Sequence, residues 1–176
     1  DTGVPAMAPI PPARRAIDDL GKRGEISLVY AGGIRNGGDI AKALALGADA
    51  IAIGHSAMMA LNCNKDIPEA NYPEEMGVEA GFCYHCHTGR CPVGVATQDP
   101  ELRKRLDPDE AAERVYNFLH TLTIECQMMA RACGKTNVHS LEPEDLAALT
   151  MEASAIAQVP LAGTDFTVGV ADYHHI

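Results

Sequence analysis

The chain has 176 residues, 47% of them hydrophobic, with a formal net charge of −10. This matches one ordinary domain with enough apolar content for a core. The acidic balance, with no basic stripe, argues against a nucleic-acid partner. No run approaches the roughly 18 consecutive apolar residues that a membrane span needs.

The opening Asp1-Thr2-Gly3 shows no charged-then-apolar leader and reads like the interior of a longer or processed polypeptide. After Pro11-Pro12, Ala13 to Leu20 has helical spacing, with Ala13, Ile17 and Leu20 on one face and Gly21 beyond its end. Residues Ile26 to Ala31 form a β-rich run that predicts a buried strand, broken by Gly32-Gly33. Asn36-Gly37-Gly38-Asp39 leads into a short helix, Ile40 to Leu46. Ala48 to Ile53 predicts a second buried strand, stopped by Gly54. Together these make a βαβ unit of a parallel sheet. A further short helix, Ser56 to Leu61, delivers Cys63.

Residues 64–82, with Pro68, Pro73 and several carboxylates, read as an inserted loop, and a short basic helix is expected near Leu102 to Leu106. Asp107-Pro108-Asp109-Glu110 starts a long helix: a capping carboxylate, proline at the first position and acids in the first turn. Its apolar stripe is Ala111, Val115, Phe118, Leu122, Cys126, Met129 and Cys133, with Gly134 at the end. Cys126 and Cys133 are expected to be core thiols. Met58-Met59 and Met128-Met129 are expected in cores and His120 at the surface. A second helix is expected around Pro143 to Met151, before a tail with little pattern.

Two devices carry chemistry. Backbone amides at Gly32-Gly33 can approach a phosphate without an intervening side chain, and those around Gly54-His55-Ser56, opening the next helix, can supply another wall. Arg35 adds a cation for a charge-assisted contact. The bland readings are plain turns and a solvated loop cation. The second device is Cys63, Cys83, Cys86 and Cys91, spaced C-x19-C-x2-C-x4-C. Four thiolates suit a [4Fe–4S] centre, and Cys63, Cys86 and Cys91 alone would suffice for a three-iron cluster. Zinc, using His85 and His87 beside the cysteines, is the structural rival, and disulfides a further one. Clustered cysteines in an apolar-rich chain favour a reducing compartment, so a cytoplasmic location is expected. No Ser/His/Asp arrangement stands out, and no catalytic residue is assigned.

Residues 31–54, AGGIRNGGDIAKALALGADAIAIG, resemble the last two β/α units of FMN-binding barrels, a stretch that inosine-monophosphate dehydrogenases share. Residues 56–63, SAMMALNC, and 86–98, CHTGRCPVGVATQ, resemble the synthase domain of glutamate synthases more specifically. The resemblance covers most of residues 26–150. It implies a (β/α)8 barrel carrying FMN and a [3Fe–4S] cluster. Gly32, Gly33, Gly54 and His55 fall at the FMN phosphate, and Cys63, Cys86 and Cys91 match the cluster ligands. The bacterial pattern keeps the first two cysteines close. Here an insertion separates them and brings in Cys83, which makes a [4Fe–4S] centre plausible. In this the chain resembles short glutamate-synthase-like subunits, including the flavin subunit of N-methylglutamate synthase.

The expected fold class is therefore α/β: the C-terminal portion of a (β/α)8 FMN-binding barrel, then an iron–sulfur cysteine loop and C-terminal helices. The expected segments are 1–62 for the last β/α units, 63–99 for the cluster loop, 100–152 for the helical part and 153–176 for the tail. The resemblance implies reductive formation of glutamate from 2-oxoglutarate and ammonia, or methylamine exchange on glutamate in the N-methylglutamate variant. Redox chemistry would belong to the cofactors, with Arg90 among the charges tuning the cluster. Expected partners are the rest of the barrel or companion subunits, glutaminase-like ones included, in an oligomer, with an amino or keto acid as substrate. The rival from another class is a metal-stapled module for electron relay or assembly that binds no flavin.

Overall fold

Prolines open the first helix. Pro9 occupies its cap and Pro11 its early turn, where a missing N–H costs nothing, so α1 spans Ile10–Asp19 and starts earlier than the apolar spacing alone predicts. The structure, a computed structural model, describes residue 4, residues 7–63 and residues 84–169. The expected insertion and Cys83 lie outside the described residues. The chain divides into two compact units, one made of Asp1–Ile53 with Leu122–Ile176, the other of Gly54–Thr121.

In the first unit α1 is followed by β1 (Val29–Ala31), α2 (Gly37–Ala45) and β2 (Ala50–Ala52). The Asn36 side chain accepts from the Asp39 amide at 2.9 Å and caps α2. Strands β1 and β2 pair in parallel with Val29 opposite Ala50, Tyr30 opposite Ile51 and Ala31 opposite Ala52. This is the expected βαβ connectivity, but both strands are shorter than predicted. Nor are they buried on both faces: of β1 only Tyr30 is buried, and Val29 is 56% exposed. A parallel strand becomes fully buried only when helices cover both its faces and strands flank it. The described residues supply one pair.

Ile10 of α1 and the apolar residues Tyr30, Ile34, Ala43, Leu46 and Ala48 of this βαβ unit pack with Ala148 and Val159 from the far end of the chain. Buried Arg14 donates through Nε to the Gly47 carbonyl at 2.8 Å and pairs with Asp49, whose carboxylate also accepts from the Leu28 amide at 2.6 Å. Burial by itself would raise the Asp49 carboxyl; the Leu28 amide and the Arg14 guanidinium outweigh it and hold it below the usual range.

The long helix α5 spans Pro108–Ala132. Asp107 caps it as predicted, accepting from the amides of Asp109 at 3.0 Å and Glu110 at 3.1 Å. Within the first unit, Cys126 and Ala130 pack against Ala41, Leu44 and Ala45 of α2 and against Leu141. Cys126 is a core thiol as expected, and burial pushes its pKa up. Cys133 is not: it is exposed, as are Met128 and Met129. The buried row follows Leu122, Cys126 and Ala130 at steps of four, so the predicted steps to Met129 and Cys133 leave the contact. Met59 is also exposed and Met58 half-buried, against expectation. His120 is exposed, with its ring stacked on Tyr116 at 5.6 Å.

The predicted helix at Pro143 to Met151 is a correction. Pro143–Asp145 is a single 3-10 turn, closed by the reciprocal Glu142 and Asp145 capping contacts, and Leu146 is already extended. The helix starts later, as α6 (Met151–Ala157), where the Thr150 hydroxyl accepts from Ala153 at 3.1 Å. Nor is the tail patternless. Ser154 is fully buried, donates to the Val159 carbonyl at 2.7 Å and accepts from Val168 at 3.0 Å. A hydroxyl serving two backbone partners leaves no apolar period to read.

The second unit holds α3 (His55–Ala60), a 3-10 turn at Cys86–Thr88, α4 (Pro100–Arg103) and the start of α5. Asp99 caps α4, accepting from Glu101 at 2.8 Å and Leu102 at 3.1 Å. That cap and Pro100 pull the helix ahead of the predicted 102–106. Among the described residues no helix is long and apolar enough to cross a membrane.

Candidate functional site

Gly32 and Gly33 follow β1 with φ of +121° and +68°, both in the region that favours glycine. A Cβ added at either would meet no atom within 4 Å. Backbone conformation, not crowding, therefore demands glycine there, and the turn presents bare, exposed peptide to its surroundings. Such a face fits a phosphate approaching backbone amides.

Arg35 lies just beyond. Its amide donates to Asp39 at 3.2 Å and its Nε at 3.4 Å, while its side chain is 80% exposed. Asp39 is buried and also accepts from Lys42 Nζ at 2.8 Å. Burial would raise the Asp39 carboxyl, but Lys42, the Arg35 amide and the Arg35 charge together hold it low. Burial, and then the Asp39 charge, raise the Tyr30 phenol. Asp39 thus anchors the guanidinium that sequence reading offered for a phosphate. It escaped notice as a site residue because an acid in the first turn of a helix reads as a dipole complement.

Gly54 precedes α3, and no side chain caps that helix start. Gly54 and His55 are exposed and Ser56 is half-buried.

Cys63 follows the turn that ends α3, its amide donating to the Met58 carbonyl at 3.2 Å. It packs with buried Cys91 and Val93, and with Val95 and Ala96, in a small apolar cluster. The structure therefore brings together two of the predicted cysteines from well-separated positions in the chain. Cys86 opens the 3-10 turn and is exposed. The turn closes through Thr88, whose amide and hydroxyl both donate to the His85 carbonyl. The His85 ring stacks on Tyr84 at 4.9 Å. Among the described residues, no three His, Cys, Asp or Glu side chains converge as a metal set. In donor chemistry the residues fit a cluster: thiols on a short turn beside an apolar wall, with the fourth predicted ligand, Cys83, outside the described residues.

Thr97, Asp99 and Arg105 brace this turn, and sequence reading offered none of them as site residues. Buried Thr97 donates its hydroxyl to the Gly89 carbonyl and accepts from the Asp99 amide at 3.0 Å. Arg105 Nη1 donates to the Pro92 carbonyl at 2.7 Å. Gly94, at φ +83°, sits where a Cβ would fall 2.5 Å from the Leu102 carbonyl. Asp99-Pro100 was the available signal, since a capped helix directly after the cysteines must pack on them or leave them.

The family model described as the conserved region in glutamate synthase matches residues 1–68 and 75–136. The chain belongs to the glutamate synthase family. It is 53% identical over 169 residues to a glutamate synthase large subunit-like protein of Rhizobium meliloti, covering 96% of this chain and 38% of that relative. It is 40% identical over 139 residues to an archaeal glutamate synthase [NADPH] of Methanocaldococcus jannaschii, covering 79% of this chain and 24% of the relative. To the glutamate synthase large subunit-like protein YerD of Bacillus subtilis it is 31% identical over 132 residues, covering 75% and 22%. The chain thus spans less than two fifths of the length of these curated relatives. No solved structure matches. The described residues have a mixed helix and strand architecture with one parallel strand pair, and family membership makes an oxidoreductase role the family expectation.

Proposed function

We propose that this chain is part of an FMN- and iron–sulfur-dependent glutamate-synthase-type oxidoreductase that forms glutamate reductively from 2-oxoglutarate and ammonia. Its first unit would contribute the last β/α steps of a (β/α)8 barrel, completed by other segments or companion subunits. The observation that carries the reading is that Cys63 packs against the small apolar cluster that holds Cys91, in a chain whose family is that of glutamate synthase.

Bound FMN supplies hydride chemistry and a bound cluster supplies single-electron transfer. The chain's own residues place them. The bare peptides of Gly32 and Gly33, with Arg35 steadied by Asp39, would hold the FMN phosphate. The amides of Gly54, His55 and Ser56 would contribute at the start of α3. Cys63, Cys86 and Cys91 would ligate the cluster, as [3Fe–4S], or as [4Fe–4S] with Cys83. Residues that grip the keto acid belong to segments beyond this chain.

The test is to purify the full-length protein without oxygen and measure flavin, iron and sulfide, then assay 2-oxoglutarate with ammonia and with methylamine in the presence of a chemically reduced viologen as the two-electron source. FMN with iron and sulfide, and glutamate from ammonia, supports the reading. Product from methylamine alone moves the assignment to N-methylglutamate formation. A cluster without flavin makes the chain an electron-relay module, and zinc without sulfide overturns the redox reading.

A further inference from the structure

We propose that Thr97 and Arg105 are positioning residues that hold the 86–97 turn closed and so fix the Cys91 sulfur. The inference deepens the cluster reading above and rests on it for its consequence, though not for its geometry.

Cys91 is 5% exposed, yet it lies in a segment without helix or strand. Something other than a backbone ladder must hold it. Thr97 supplies one tie, from its hydroxyl to the Gly89 carbonyl, two residues before Cys91. Arg105 supplies the other, from Nη1 to the Pro92 carbonyl, one residue after Cys91. The two side chains thus grip the backbone on either side of the sulfur. Both are fixed in turn. Thr97 accepts from the Asp99 amide, and Asp99 caps α4. Arg105 follows that helix, where Gly94 allows the turn to touch the Leu102 carbonyl and the Leu106 amide. Thr97 is 8% exposed and its hydroxyl is engaged twice, so an isostere without the oxygen is a costly replacement.

The test uses the full-length protein carrying Thr97→Val, Thr97→Ser, Arg105→Met or Arg105→Lys. In the metal-free state, iodoacetamide alkylation of each cysteine is followed by mass spectrometry, with buried Cys126 as the internal reference. In the loaded state, iron release to a chelator is timed. Thr97→Val and Arg105→Met are expected to speed Cys91 alkylation and iron release about tenfold or more, the scale seen when groups supporting a metal ligand are lost. Thr97→Ser, which keeps the hydroxyl, is expected to stay near wild type, and Arg105→Lys to lie between. No change at Cys91, or a parallel rise at Cys91 and Cys126, overturns the proposal. If the wild type binds no iron and sulfide, the cluster reading fails by itself, and the alkylation pattern still decides whether Thr97 and Arg105 hold the sulfur.

Discussion

The backbone amide of Gly37 donates to the Glu125 carboxylate at 2.6 Å. One bond joins the first turn of α2 to the middle of α5, across positions far apart in the chain. The contact is close on every side: a Cβ at Gly37 would lie 2.3 Å from the Glu125 Cβ and 2.5 Å from the Leu122 carbonyl. The carboxylate also meets the positive end of α2, the favourable sense of the helix dipole.

Gly37→Ala should therefore force backbone apart rather than displace a flexible tip, at a cost of about 1–3 kcal/mol. Chemical denaturation of the variant checks this. Glu125→Gln keeps an acceptor and should cost much less than Glu125→Ala. Equal losses for the two would mean that the amide contact contributes nothing.

Arg14→Met should lower stability by about 1–3 kcal/mol, because it leaves the Gly47 carbonyl without its side-chain donor and removes the guanidinium that pairs with Asp49. The urea midpoint should fall with an unchanged slope. Asp49→Asn should cost less, since an amide oxygen still accepts from Leu28.

Asp39 gives the fold a dependence on acid. Its carboxyl is held below the ordinary value in the folded state, so the stability it adds is complete above about pH 4, where it is ionised even when unfolded, and is lost as pH falls through the lower folded value. Asp39→Asn should therefore be clearly less stable than wild type near neutrality. The gap should narrow progressively below about pH 4. A gap that stays constant on acidification would contradict the Lys42 and Arg35 interactions as its source.

The thiols should separate by exposure. In metal-free protein Cys86 and Cys133, which are exposed, should react with iodoacetamide well before buried Cys126, whose raised pKa also withholds the thiolate. Loading with iron and sulfide should then protect Cys86 and leave Cys133 reactive. Protection of both, or of neither, would argue against Cys86 as a ligand.

Much of this molecule is legible in its residues, for specific reasons. The βαβ step and the Asp107-Pro108 start depend on local chemistry, and they stand where the sequence puts them, whereas the Asn36 cap starts α2 at Gly37, ahead of the predicted Ile40. The course of α5 beyond Leu122 is different. Periodicity alone cannot choose between the rows 122–126–129 and 122–126–130; the Ala face of α2 chooses the latter. Ser154 shows the same dependence, its burial set by Val159 and Val168 rather than by anything in its own helix. At the candidate site the glycines and cysteines announce themselves by type. Thr97, Arg105 and Asp39 do not, because polar residues declare their role only through the partner they reach.

The first unit takes its core from both ends of the chain: Ile10, Tyr30 and Ala43 wait for Ala148 and Val159. The second unit, residues 54–121, is continuous. On a ribosome the two therefore mature in a set order. The cysteine-bearing stretch has all its internal contacts available as soon as it emerges, whereas the β/α stretch made before it must stay incomplete until residues near 160 appear. Closing that long loop adds little entropy cost per extra residue, but it imposes a delay. During that delay the apolar residues around the short parallel pair lack their cover from Ala148 and Val159, the state in which a nascent segment is most prone to join a wrong neighbour.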